Sequence, residues 1–525
     1  MQRTTGRPGT KYASTTINAS MTSARTLAAA RTLAAAALSA CALLAQPGCM
    51  VGPDYHPPAV EMPGDWVSAP GGPGAITPTT RPSATTQMTS SSRPSTPTSQ
   101  PAEVVQWWRT FDDPVLDSLI DRALTSNLDL LQATSRLRAA RASRRVASSA
   151  LYPNANTSAD YRRARAPSTG GRGRDSGVDL FQAGLDASWE VDVFGGVRRG
   201  VEASEADVRA AVEDRRDVMI TLVSEVALNY ADLRAVQREL VIARENLVSQ
   251  RRSTDITRQK FETGFVSRLD TVNAEAQVAT TESQLPLLEA DARRAIYTLG
   301  VLLGREPGAL LQELTAEAPI PPTPPEVPVG LPSELLRRRP DVRRAEASLH
   351  AATARVGVAT ADLFPRFSLT GALNFNGQTV QQMANWGNRS WSFGPSVSWP
   401  LFDAGRIRAN IEVRSAQQEQ ALLAYRSTVL LALQDVENAL VEYAAEQQHR
   451  ASLAEAVTAN RRAVELSTTL YSAGQIEFIT LLTAQRSLLL SEDALVRSDR
   501  NLAANLIALY KALGGGWEDP GPRRQ

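Results

Sequence analysis

The residues best able to do chemistry are few and scattered. His56, His350 and His449 are the only histidines, and Cys41 and Cys49 the only cysteines. The histidines lie far apart with no clustered cysteine or acid beside them, so solvated or packed side chains are expected and a metal centre is not. Two cysteines make no disulfide framework. Gly170-Gly171-Arg172-Gly173 follows no strand-to-helix pattern that would cradle a phosphate. With Arg162, Arg163, Arg165 and Arg174 around it, it reads as the exposed loop of a hairpin. Asp186, Glu190 and Asp192 are more informative, because all fall at even positions of an alternating segment. Carboxylates on one side of a strand would favour cations rather than catalyse anything. Neither an enzyme nor a cofactor is expected.

The charge balance narrows the partners. The 525 residues carry 56 basic and 55 acidic groups, with 43% hydrophobic and 6% aromatic residues, an ordinary globular composition. Arg3, Arg7, Lys11, Arg25 and Arg31 supply all the charge before position 49, which leaves a slight acidic excess in the rest. That is no footprint for nucleic acid. Lys11, Lys260 and Lys511 are the only lysines; every other basic residue is arginine.

Residues 1–48 read as a signal peptide, with Met21 as an alternative start. Arg25 and Arg31 precede an uncharged run from Leu33 to Ala45, too short to cross a bilayer. A small residue before a cysteine marks lipoprotein processing. Leu38-Ser39-Ala40-Cys41 has the better residue types, whereas Cys49 is followed by Val51-Gly52-Pro53-Asp54-Tyr55; Cys49 is expected to be lipidated, with Cys41 the alternative. Residues 49–106 form the anchor and a tether whose Thr77–Pro101 stretch, dominated by Ser, Thr and Pro, cannot bury enough apolar surface to fold.

The body is a tandem repeat. A shift of about 210 residues sets Leu151-Tyr152-Pro153 on Leu363-Phe364-Pro365, Trp189 on Trp399, Tyr230 on Tyr443, and Phe261-Glu262-Thr263-Gly264 on Tyr471-Ser472-Ala473-Gly474. The first repeat covers 107–318, a Pro-rich joint 319–330, the second repeat 331–515 and a tail 516–525. Each repeat holds two alternating segments, among them Phe181 to Val193 and Trp391 to Trp399, with Ala155 to Tyr161 the weakest. A period of two means strands with one apolar and one wet face. Long proline-free stretches follow each pair. Val197 to Glu262 would extend roughly 100 Å as a helix. Val226, Leu233, Val236, Leu240, Ala243 and Leu247 recur as a coiled-coil seam. Gly264 and Gly474 stand where each long helix must reverse into a second one.

The alternating strands, with aromatics gathered toward their ends, match an outer-membrane barrel better than a soluble sheet. Four strands cannot close a barrel. Three copies supply twelve strands and leave a lumen, so a homotrimer follows. The expected fold is mixed α and β: a membrane barrel of four strands per protomer, continuous with a long coiled-coil tunnel in the periplasm.

Four motifs carry a family resemblance. They are Val51-Gly52-Pro53-Asp54-Tyr55, Trp108 with Phe111-Asp112-Asp113-Pro114, Leu331-Pro332-Ser333-Glu334-Leu335-Leu336-Arg337-Arg338-Arg339-Pro340-Asp341, and Phe261-x-x-Gly264 repeated as Tyr471-x-x-Gly474. With this architecture the chain resembles the outer membrane factor family, the TolC-like ducts, in its lipoprotein branch serving RND multidrug pumps. The resemblance implies a trimeric outer-membrane channel that passively conducts drugs or other small molecules. It implies docking of a periplasmic adaptor and an inner-membrane RND pump, and contact with outer-membrane lipid. A periplasmic gate is implied at Asp270 and Tyr471, where family members place a carboxylate–phenol latch. Ile476, Thr480 and Thr483 depart from the family at the remaining latch positions, so a weaker latch supplemented by Arg268 or Glu477 is expected. Gly264, Phe265, Gly474 and Gln475 would form the tips that meet the adaptor. Asp186, Glu190 and Asp192 would face the lumen. A type I protein-secretion duct and a non-conducting coiled-coil stalk are the alternatives.

Overall fold

The computed structural model describes residues 50–59, 62–68, 96–98, 105–164, 177–323, 326–328, 332 and 338–517. Cys41, Cys49, the Gly170–Gly173 loop, the Ser333–Arg337 part of the Pro-Ser-Glu motif and most of the tether lie outside them. One piece of the tether differs from expectation: Thr96–Thr98 pairs in parallel with Glu326–Pro328. Backbone groups can pair without apolar side chains, so composition alone did not exclude this short ladder.

In chain order the main elements are α1 (Pro114–Ser126), α2 (Leu128–Ser149), β1 (Asn154–Ala164), β2 (Val178–Val191), α3 (Gly196–Glu262) and α4 (Arg268–Leu302). They are followed by α5 (Pro340–Ala361), β3 (Arg366–Gly377), β4 (Arg389–Ser398), α6 (Arg406–Ser472) and α7 (Phe478–Ala512). The repeat is legible in lengths: α2 and α5 have 22 residues each, α3 and α6 have 67, and α4 and α7 have 35. Small details recur too. Trp189 Nε1 donates to the Leu151 carbonyl at 3.0 Å, and Trp399 Nε1 to the Leu363 carbonyl at 3.0 Å. The repeats differ at Pro286, which sits inside α4 and removes one helical donor.

The chain folds as two compact units. Among the described residues, one contains those within 50–52, 150–199 and 357–408, and the other those within 53–149, 200–356 and 409–517. The first unit is built on one antiparallel sheet in the order β1-β2-β3-β4. Val51 joins it by donating its N–H to the Phe194 carbonyl at 3.1 Å. A Cβ at Gly52 would lie 2.5 Å from Gly357 Cα, and its φ is +89°, so only glycine fits there.

The helical unit has its main core where α1, α3, α4, α6 and α7 gather. Trp107 stacks on Tyr510 at 5.3 Å between ring centroids, among Leu119, Ile120, Leu233, Leu299 and Leu506. Asp113 starts α1 by accepting from Val115 and Leu116 N–H at 2.9 and 3.1 Å, with Pro114 in the first turn. Its second oxygen takes the Tyr230 hydroxyl at 2.7 Å, and burial pushes that phenol up to about 12. Arg339 works at a helix junction. It forks onto Asp341 at 3.0 and 2.7 Å, reaches Asp435 at 3.0 Å and caps the Ala512 carbonyl of α7 at 3.0 Å.

Tyr55 of the leading segment stacks on His350 with ring centroids 4.2 Å apart, and its hydroxyl donates to Glu346 at 3.3 Å. His350 Nε2 lies 3.0 Å from Glu202.

Candidate functional site: a two-faced sheet and two helix reversals

The register of the sheet sorts every strand position by parity. Asn156 pairs with Asp186, Asp186 with Ala372 and Ala372 with Ser392; Glu190 pairs with Ser368 and Ser368 with Ser396. All even positions therefore share one face, which is polar across four strands. Thr157, Leu185, Leu373 and Trp391 form one odd row, and Trp189, Leu369 and Pro395 another. That odd face is apolar yet exposed: Trp391 is 74% and Phe393 71% accessible. A soluble sheet would cover such a face with a second layer.

Asp186 and Glu190 lie on the polar face, and Asn156 Nδ2 donates to Asp186 at 3.3 Å. Asp192 does not belong to it. The strand ends at Val191, and the Asp192 carboxylate is taken by Arg198, which donates its backbone N–H at 2.8 Å and Nε at 3.3 Å. The expectation that Asp192 shares that face is corrected: proximity to the first turn of α3 outcompetes the strand's alternation.

The helix reversals are two copies of one device. Gly264 has φ +77° and Gly474 φ +76°. Gly264 N–H donates to Phe261 at 2.9 Å and Phe265 N–H to Lys260 at 2.8 Å; Gly474 donates to Tyr471 at 3.0 Å and Gln475 to Leu470 at 2.9 Å. This is the Schellman pattern, and the left-handed φ rather than crowding demands glycine, since nothing lies within 4 Å of either position. Phe265 at the first tip is 82% exposed.

The side chains beside the reversals are arranged differently from the expected latch. Asp270 Oδ2 accepts from the Ser267 N–H at 3.1 Å and from the Ser267 hydroxyl at 3.0 Å, closing a capping box at the start of α4. Tyr471 is buried in a cluster with Ala274, Phe478, Leu481 and Leu482. Its hydroxyl lies 2.9 Å from Thr257 Oγ1. The Lys260 ammonium sits 4.4 Å from the Tyr471 ring centroid and donates to the Tyr471 carbonyl. Burial pushes the Tyr471 phenol above its ordinary value; the Thr257 bond opposes that and the Asp270 charge adds to it. The expected Asp270–Tyr471 hydrogen bond is therefore not made within the protomer, because the carboxylate is spent on its own helix start. Arg268, Glu477, Thr480 and Thr483 are all exposed; Glu477 precedes α7 without a side-chain cap, and Thr483 donates to the Ile479 carbonyl at 2.8 Å.

The sequence profile of the family described as outer membrane efflux protein matches residues 119–305 and 331–515. This chain belongs to the outer membrane efflux protein family. It is 31% identical over 475 residues to nodulation protein T of Rhizobium leguminosarum bv. trifolii, covering 90% of this chain and 95% of that one. It is 36% identical over 427 residues to the pyoverdine export outer membrane protein OpmQ of Pseudomonas aeruginosa, covering 80% and 89%. Among solved structures, the outer-membrane channel OprN superposes with a TM-score of 0.78 at 36% identity, covering 89% of this chain and all of that one. The open state of the MtrE outer membrane channel of Neisseria gonorrhoeae superposes with a TM-score of 0.75 at 28% identity, covering 90% and 99%.

As an outer membrane efflux protein, the chain has the barrel-and-tunnel fold, and its two matched segments are the tandem repeats. It is an outer-membrane efflux channel. No described helix is long and apolar enough to cross a membrane.

Sequence reasoning missed Thr257 and Lys260 as partners of Tyr471. A signal for Lys260 existed, since it is one of only three lysines in an arginine-rich chain. It also missed a change in the α3 seam. After Leu247 the buried positions of α3 become Gln250, Ser253, Thr254 and Thr257, and Gln277, Thr281 and Gln485 are buried polar residues of α4 and α7. Gln485 donates to Ser253 at 2.9 Å, while neither amide atom of Gln250 has a partner among the described residues. The spacing of Gln250, Thr254 and Thr257 continues the seam of the preceding leucines, which a search for apolar residues alone cannot register.

Proposed function

We propose that three copies of this chain close a twelve-stranded barrel through which small molecules leave the periplasm passively, as the outer component of a tripartite efflux pump. The observation that carries this is the parity of the sheet. One face is polar on all four strands and the other apolar and exposed, and β1 and β4 are its two open edges. Within a bilayer, ladder groups at an edge must be satisfied, and closure through further copies satisfies them. The polar face then lines the lumen, with Asp186 and Glu190 giving it a cation preference.

The reversals form the periplasmic gate in this reading. Tyr471, held by Thr257 and Lys260, is its fastening, with Glu477, Thr480 and Thr483 at the rim and Asp270 securing the start of α4 beside it. Gly264, Phe265, Gly474 and Gln475 are the tips that meet a periplasmic adaptor, which couples the duct to an inner-membrane RND pump. Lipidation at Cys49, with Cys41 as the alternative, would add a second hold on the outer membrane. The duct carries out no catalysis. OpmQ is named for pyoverdine export and a toluene efflux pump protein, TtgF of Pseudomonas putida, for its cargo. Relatives with such different cargoes fit a duct whose selectivity resides in its pump.

Native mass spectrometry of the assembly extracted from outer membranes tests this reading. Three copies, each with an acylated N-terminal cysteine, are expected; a monomer or dimer would contradict it.

A further inference from the structure

The odd face of the sheet carries charge only toward its hairpin end. Arg163, Asp179 and Arg389 are the only charged residues at odd strand positions. All three lie at the hairpin end, Arg163 opposite Asp179 and Arg389 opposite Phe375. Aromatic rings accompany them. Tyr161 and Phe181 have centroids 4.8 Å apart, and Phe375 and Trp386 5.9 Å apart. Trp386 is 64% exposed. The Arg389 guanidinium lies 4.7 Å from the Trp386 ring centroid and donates to its carbonyl at 2.8 Å.

The acid at this level is engaged. Asp179 accepts the Tyr161 hydroxyl at 2.9 Å and stands 3.7 Å from Arg163. No carboxylate pairs with Arg389 among the described residues, so this level has one positive charge in excess. Trp189 marks the other end of the same face. Between Asp179 and Trp189 the strand advances about 33 Å, or about 25 Å along the normal for a tilt of about 40°, which is the height of an outer-membrane apolar band. The arginines therefore fall at the head-group plane, where an outward-facing charge costs about 0–1 kcal/mol.

We propose that Arg163 and Arg389 form a binding site for the phosphate groups of outer-leaflet glycolipid. The inference rests on the barrel reading above. Because β1 and β4 are the two edges, closure brings Arg163 of one copy and Arg389 of the next to the same junction, where each supplies a planar donor fork suited to phosphate. Trp386 lies beside them at the depth where aromatic rings meet acyl chains.

The test uses the purified full-length assembly with bisphosphorylated lipid A, dephosphorylated lipid A and inorganic phosphate, read by native mass spectrometry. Bisphosphorylated lipid A should bind at least about tenfold more tightly than the dephosphorylated form. Arg163→Gln with Arg389→Gln should abolish that preference while single-channel conductance stays at the wild-type value, which separates this proposal from failure of the channel itself. If the Gln pair fails to assemble, Arg163→Lys with Arg389→Lys keeps the charge and should keep the preference. Equal binding of the two lipids, an unchanged preference in the Gln pair, or its loss in the Lys pair would overturn the proposal. So would full displacement of the lipid by millimolar inorganic phosphate, which would mark a free-anion site.

Discussion

The Tyr471 hydroxyl is bound by Thr257 on α3, 2.9 Å away, and not by Asp270 on α4. The fastening at the reversals therefore runs between the two long helices, and Asp270 stabilises the start of α4. Thr257→Val would leave a buried phenol unpaired, at a cost of about 1–3 kcal/mol. It should raise single-channel conductance, as should Tyr471→Phe. Asp270→Ala should leave conductance near wild type and lower helix protection at 267–271 through the lost cap, worth about 0.5–2 kcal/mol. A large conductance rise in Asp270→Ala with none in Thr257→Val would reverse these roles.

The buried seam of α3 turns polar at Gln250. Gln250 is 3% exposed with no partner for its amide among the described residues. Gln250→Leu should stabilise this section by about 1–3 kcal/mol, since an unsatisfied buried amide is replaced by an apolar group. Hydrogen exchange at residues 246–260 should slow, and efflux-dependent antibiotic resistance should fall as opening becomes harder. Faster exchange in the variant would mean that the seam depends on this amide.

One carboxylate gives the helical unit a distinct pH response. Burial, aided by Glu239 and Glu492 and opposed by Arg497, raises the Asp493 carboxyl from its ordinary value of 3.8 to about 6. The folded state thus holds this proton more tightly than the unfolded state. Its stabilising contribution is complete below about pH 4 and is lost as pH rises through about 6. Asp493→Asn should raise the melting temperature at pH 7.5 and change it little at pH 4. An equal shift at both pH values would show that protonation is not the cause.

Selectivity is assigned to Asp186 and Glu190 but not to Asp192, whose carboxylate is engaged by Arg198. Reversal potentials in a salt gradient should show cation preference that declines in Asp186→Asn with Glu190→Gln. Asp192→Asn should leave it unchanged. Loss of preference in Asp192→Asn alone would place that residue in the conduction path.

Much of this architecture was legible because it is written in periodicity. Alternation read from Phe181 to Val193 fixed which residues share a face as far as Val191, where the strand ends, and the four-strand register extended that parity across the sheet. Gly264 and Gly474 were legible because only a left-handed residue ends a helix in that way. What escaped reading was decided by competition between neighbours in space. Asp270 could cap its helix or meet Tyr471, and a local capping box costs less ordering than a contact between distant segments. Asp192 was claimed by Arg198 for the same reason. Thr257 and Gln250 look ordinary in sequence; Thr257 takes its meaning from Tyr471 on α6, and Gln250 from its burial with no partner among the described residues.

Single-channel recording of the purified full-length protein in planar bilayers tests the central claim most directly. Discrete, cation-preferring conductance steps are predicted, larger in Thr257→Val than in wild type. Bilayers that remain silent in both, with the protein shown to be inserted by protease protection, would contradict the account.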